Sequence, residues 1–90
     1  MTRRKYRSQA GIILDILEAL ERNGPLNITK LMYYANLPYD RLRETLSKLL
    51  EQELVEECDK SKYCITLEGR RALSKLREVR GLLESLGYKL

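Results

Sequence analysis

The break at Asn36-Leu37-Pro38 constrains this chain more than any other feature of its sequence. It separates two stretches of helical periodicity by only three residues, and helices joined so tightly have to pack as neighbours. The first stretch covers about residues 29–35. The second runs over about 38–52, with Pro38 tolerated in its first turn and Leu42, Leu46, Leu49 and Leu50 repeating along one face. Immediately afterwards come two short strand-like runs, 54–58 and 63–66, around the polar turn Asp59-Lys60-Ser61-Lys62. That pattern is a β-hairpin.

The flanking segments complete the order. Ser8 is placed to cap a first helix whose apolar stripe is Ile13, Ile16, Leu17 and Leu20. Arg22-Asn23-Gly24-Pro25 ends it, with Gly suited to a left-handed cap and Pro following. Pro25-Leu26-Asn27 reads as a short extended piece, and Thr66 as the cap of a last helix running from about Leu67 towards the C-terminus. The expected fold class is α+β, mostly α: a winged helix-turn-helix with an additional C-terminal dimerisation helix. Residues 1–7 are expected to form a flexible basic arm, 8–66 the winged-helix DNA-binding domain, and 67–90 a C-terminal helix that pairs as a coiled coil.

Charge supports an anionic partner. The 90 residues carry 17 Lys+Arg and 13 Asp+Glu. Four cations, Arg3, Arg4, Lys5 and Arg7, fall in the first seven residues without an acid, so a +4 arm precedes a body in balance. The absence of histidine removes Ser-His-Asp and Cys-His catalysis and His-ligated metals. Two cysteines cannot make a four-cysteine zinc site, and the scattered glycines form no phosphate-cradling loop. The longest uncharged run, residues 31–39, is about half the length of a membrane span. The expectation is a non-enzymatic, cytoplasmic, nucleoid-associated protein without metal, cofactor, membrane partner or small-molecule substrate. Abundant Glu, Lys, Arg and Tyr beside two Gln is a bias of proteins from hot environments.

Thr29-Lys30-Leu31-Met32-Tyr33 followed by Ala35-Asn36-Leu37-Pro38-Tyr39 resembles the "TRIMY…ANLSY" signature of the Sulfolobus 10a family of small archaeal winged-helix proteins. The hairpin exit Tyr63-x-Ile65-Thr66-x-x-Gly69 is similar to that family's "Y-x-L-T-x-x-G". Pro38 stands where the family commonly has a capping Ser. The resemblance covers about residues 10–75. It implies DNA binding, often with little sequence selectivity, and dimers joined by an antiparallel coiled coil of C-terminal helices.

The candidate contacts to double-stranded DNA are the arm cations together with Lys30, Tyr39, Arg41, Arg43, Ser47, Lys48, Lys60 and Lys62. Tyr39, Arg41, Arg43, Ser47 and Lys48 belong to the third helix, where Arg can read guanine and hydroxyls can bond phosphates. An ordinary solvated face with pairs such as Glu44–Lys48 accounts for the same residues, and Asp40, Glu44 and Glu51 oppose phosphate binding. Lys60 and Lys62 at the wing tip suit phosphates equally with solubility. Tyr33, Tyr34 and Tyr39 cluster around the break, where rings beside cations can stack on bases of single strands or RNA. Tyr33 and Tyr63 are expected to be structural, and Tyr39 to contact the ligand.

Cys58 and Cys64 lie in the two arms of the hairpin. Two free, semi-buried thiols are the expected state, and a cross-strand disulfide is the alternative. In the last helix, Gly69, Ala72, Leu76, Val79, Leu83, Leu86 and Leu90 recur at alternating intervals of three and four. Ala72 and Leu73 are expected to fold back on the domain, and Leu76, Val79, Leu83, Leu86 and Leu90 to form a homodimer interface. The function expected is a homodimeric DNA-binding regulator or chromatin-like protein. The alternative is a protein-interaction module within a larger assembly.

Overall fold

Three of the four helices begin on a side-chain cap, as their sequences require. In the computed structural model, which describes residues 8–90, Ser8 Oγ accepts the Gly11 N–H at 3.0 Å and starts α1, Gln9–Asn23. Asn27 Oδ1 accepts the Lys30 N–H at 2.9 Å and starts α2, Ile28–Ala35. Thr66 Oγ1 accepts the Gly69 N–H at 2.9 Å and starts α4, Leu67–Ser85. The exception is α3, Tyr39–Glu51, whose cap position is Pro38 and has no side-chain bond to offer. Gly24, at φ 78°, closes α1 with its N–H on the Leu20 carbonyl.

The α2–α3 turn is built by backbone geometry. Asn36 takes the left-handed conformation, φ 55°, which Asn tolerates better than most residues. The Leu37 N–H then returns to the Met32 carbonyl at 3.1 Å. Leu37 itself is buried, so the turn is pinned to the core.

Strand β1 is Leu26–Asn27, β2 is Val55–Asp59 and β3 is Lys62–Ile65. They form an antiparallel sheet in the order β1-β3-β2. Leu26 pairs with Tyr63, and Val55 with Ile65. The extended piece after Pro25 is a short strand, as its place in the expected element order implies, and it joins the hairpin as the third member of the sheet. Tyr63 is half-buried against the core, as expected of a structural residue.

The core lies between α1 and the remaining elements. Ile16, Leu17, Leu31, Leu42, Leu46, Leu49 and Leu73 are fully buried. Truncating one such leucine to alanine costs about 2–5 kcal/mol. α1 is buried on more sides than its expected stripe: Ile12, Leu14 and Ala19 are covered and Ile13 is only half-buried. α2, α4 and β3 all pack against α1, so a single-stripe helical pattern understates its burial. α3 buries Thr45 in addition to its leucines, and Gln9 Nε2 lies 3.5 Å from the Thr45 hydroxyl.

The hairpin corrects the reading of the cysteines. Cys58 and Cys64 are joined in a disulfide, with α-carbons 5.8 Å apart, instead of standing as free thiols. The register partner of Cys64 is Glu56, and a bulge between Glu57 and Asp59 swings Cys58 into reach.

The C-terminus departs from a continuous seam. α4 stops at Ser85, Gly87 takes φ 91°, and the Tyr88 N–H returns to the Leu83 carbonyl at 2.8 Å. Leu90 then packs back on the core beside Gly11. Leu73 is buried and Ala72 and Leu76 pack against the same core, the first two as expected. The helical seam thus ends before Leu90, because a left-handed glycine closes the helix five residues after Leu82.

Candidate nucleic-acid interface

The exposed side of α3 follows from what its other side buries. With Leu42, Thr45, Leu46 and Leu49 inward, a helix advancing about 100° per residue directs Asp40, Glu44, Ser47 and Glu51 along the outward crest. Arg41 and Lys48 lie on one flank of that crest and Arg43 on the other. All seven are exposed, as is Tyr39 at the N-terminus of the helix. Among the described residues, Arg41, Arg43 and Lys48 form none of the ion pairs, which gather elsewhere. Glu44 and Lys48 are four apart but unpaired, so the solvated-pair reading of this face does not hold at that position. The face can offer cations to phosphates at its edges and acceptors at its centre, where a carboxylate can take a hydrogen bond from a cytosine amino group.

The wing leaves α3 through a three-residue connection in which Glu53 takes φ 63°. Its tip presents Lys60 and Lys62 in the open, and the Asp59 carboxylate accepts the Lys60 N–H at 2.8 Å, which shapes the turn. Ser61 sits at φ 56°. Three exposed acids, Glu56, Glu57 and Asp59, share the wing with these lysines. The Cys58–Cys64 disulfide ties its two strands together below the tip.

Lys30 is exposed on the first turn of α2. Arg3, Arg4, Lys5 and Arg7 lie outside the described residues. The structure therefore brings Lys30, Tyr39 and the α3 cations to the helix-turn-helix and sets Lys60 and Lys62 apart on the wing.

Tyr33 is the residue that sequence reasoning misplaced. It is 76% exposed and not a core residue. The signal was available: Leu31 and Ala35 share one line of α2, and Tyr33, two residues after Leu31, falls on the opposite side.

A different set of cations is committed to structure. Arg77 Nε reaches Glu18 at 3.1 Å, and its second nitrogen reaches Glu21 at 2.8 Å. Arg80 meets Glu18 at 3.2 Å, and Arg70 approaches Glu21 at 3.9 Å. Burial works to raise the Glu18 carboxyl, but the hydrogen bonds and charges of Arg77 and Arg80 outweigh it and hold it below the ordinary glutamate value. Glu21, then Glu18, hold the Arg77 guanidinium above its ordinary value. This network binds α4 to α1, and its three arginines share two carboxylates within the domain.

No group of three or more metal-ligating side chains occurs among the described residues, and no helix there is long and apolar enough to cross a membrane. Of the expected interface residues, Val79 on α4 and Leu86 at its C-terminal cap are exposed and Leu83 is half-buried, while Leu76 and, beyond the helix, Leu90 lie against the core of their own chain.

Comparison with known proteins agrees with this architecture. Residues 6–84 match the model of the winged helix-turn-helix family. The fold superposes on the crystal structure of Sso10a-2, a DNA-binding protein from Sulfolobus solfataricus, with a TM-score of 0.78 and 25% identity, covering 89% of this chain and 85% of that one. A MarR-family transcriptional regulator from Silicibacter pomeroyi matches with a TM-score of 0.67 and 25% identity, over 79% of this chain and 50% of its own. An uncharacterised protein of Methanocaldococcus jannaschii is 37% identical over 73 residues, which is 81% of this chain. The chain spans about a third of that relative's length, 34%. With its helix-turn-helix, wing and fourth helix all in place, the chain belongs to the winged helix-turn-helix family, and its fold is similar to that of the Sulfolobus protein.

Proposed function

We propose that the protein is a regulator that binds duplex DNA as a homodimer. The observation that carries this reading is the set of unpaired cations, Arg41, Arg43 and Lys48, along the exposed face of the helix that follows the turn. In this fold that helix enters the major groove. Lys30 and Tyr39 flank it, and the two wing lysines reach the neighbouring backbone. The DNA-binding and regulatory descriptions of Sso10a-2 and the MarR-family protein support the same assignment.

Dimerisation is supported by α4. Val79, Leu82 and Leu86 are 45%, 60% and 63% exposed and recur at intervals of three and four along one line of the helix. An apolar line of this kind is covered by pairing with its copy across a two-fold axis.

The rival is a protein-interaction module, favoured by one observation: the crest of α3 carries three carboxylates, Asp40, Glu44 and Glu51. Retention on duplex DNA as a function of salt separates the two. The DNA reading requires log affinity to fall with log salt at about −0.9 per phosphate neutralised. Deleting residues 2–7 should flatten that slope by about one to two units, since a tail seldom engages every phosphate at once. Salt-independent or absent retention would leave the protein-interaction reading.

A further inference from the structure

The corner between α2 and α3 displays more aromatic surface than a duplex can use. Tyr33 is 76% exposed, Tyr39 50% and Tyr34 47%. The rings of Tyr33 and Tyr34 meet edge to face, with centroids 5.1 Å apart and planes at 74°. That contact holds the two planes relative to each other and leaves most of Tyr33 bare. A groove of about 440 Å³ adjoins it, lined by Thr29, Met32, Tyr33, Asn36, Leu37 and Pro38. Lys30 lies one turn before both rings and, by helical phase, between them.

In a duplex the faces of the bases are covered by their neighbours, and a protein meets only their edges. An exposed ring face has its complement in an unpaired base, whose own face is free to stack. The groove is large enough for a base and carries no acid, and Lys30 supplies a cation for the adjoining phosphate. That charge complementarity favours a nucleic-acid strand over an apolar peptide.

We propose that this corner is a binding site for single-stranded DNA, in which an unpaired base stacks on Tyr33 over the groove and Lys30 meets the flanking phosphate. The inference extends the nucleic-acid reading to a second form of ligand, and Tyr33 is not among the residues assigned to the duplex.

The test uses the full chain and three labelled probes in fluorescence anisotropy: a twelve-nucleotide oligo-dA, an abasic strand with the same phosphates, and a duplex. Expected is tighter binding of oligo-dA than of the abasic strand by about 5- to 150-fold, the range of one stacked base. Tyr33→Ala should abolish that preference and Tyr33→Phe should keep it, with duplex affinity changed less than about twofold in both. The chain has six tyrosines and no tryptophan, so quenching of tyrosine emission by oligo-dA, lost in Tyr33→Ala, is a second readout. Thermal melting of the variants confirms that the fold is retained. Equal affinity for the base-bearing and abasic strands, or a preference that survives Tyr33→Ala, overturns the proposal. Failure of the duplex probe alone would overturn the duplex reading and leave this one standing.

Discussion

Gly69 passes so close to the carbonyl of Leu54 that a β-carbon on Gly69 would overlap the oxygen. The same β-carbon would stand 2.7 Å from Cγ1 of Ile65. Around this contact Thr66 makes three bonds. Its N–H donates to Leu54 at 3.1 Å, its hydroxyl donates to the Glu53 carbonyl at 2.7 Å, and its oxygen caps the Gly69 N–H. One residue group thereby joins the exit of α3, the end of the wing and the start of α4. The spacing Thr-x-x-Gly is the consequence: one position supplies the cap and the other the room.

Gly69→Ala should therefore destabilise the domain by about 1–3 kcal/mol, the usual cost of forcing atoms into a packed site. Thr66→Ala should cost about 1 kcal/mol through the lost cap. Urea denaturation at fixed pH measures both. An unchanged midpoint for Gly69→Ala would show that the wing exit shifts freely, and with it the position of α4.

Glu18 makes stability depend on acidity in a defined direction. Its carboxyl is held below the ordinary glutamate value in the folded state, so the unfolded chain takes up the proton first. The stabilisation is complete above the ordinary glutamate range and is lost as pH falls through the lowered folded value. Melting temperature measured from about pH 7 to about pH 3 should fall on the acid side. Glu18→Gln should remove part of that slope while lowering stability at neutral pH. An identical acid limb in the variant would assign the pH dependence to other carboxylates.

Arg41 and Arg43 are exposed and take no part in the ion pairs found among the described residues. Substituting both with alanine should change stability by less than about 0.5 kcal/mol each. Duplex affinity should fall by about tenfold or more, and the salt slope should shallow by about one to two units. Gel-shift titration at several salt concentrations, beside thermal melting, checks both halves of the expectation. Unchanged affinity would remove α3 from the interface.

Leu82 is the most informative position for the dimer. It is 60% exposed in the single chain, between Val79 and Leu86 on the same line. Leu82→Glu should yield a monomer in sedimentation with the helical signal retained, since a charge buried in the paired helices would lack a partner. Leu76, which packs on its own core, is a poorer probe because its loss also removes packing within the domain. A dimer that survives Leu82→Glu would place the interface off this face of α4.

Local chemistry made much of the fold legible. Ser8, Thr66 and Gly24 mark helix ends through bonds to their nearest neighbours, so their meaning survives without knowledge of the rest. Leu42, Leu46 and Leu49 declare the buried side of α3, and by subtraction its candidate contact face. Tyr33 was equally legible from the phase of α2, and was lost only because tyrosines near a turn are so often half-buried.

Sequence alone thus determined the element order, the caps at Ser8, Gly24 and Thr66, the turn at Asn36 and the outward set on α3, all of which depend on residues a few positions apart. The tertiary structure alone decided the pairing of β1 with the wing, the disulfide, the Glu18–Arg77 network and the return of Leu90 to Gly11. Leu26 and Asn27 become a strand only because Tyr63 and Lys62 arrive beside them. Cys58 meets Cys64 only through a bulge that no periodicity encodes. Arg77 and Arg80 of α4 meet carboxylates because α1, some sixty residues earlier in the chain, presents them at matching turns. Such contacts depend on distance in space, and a sequence pattern reports only distance along the chain.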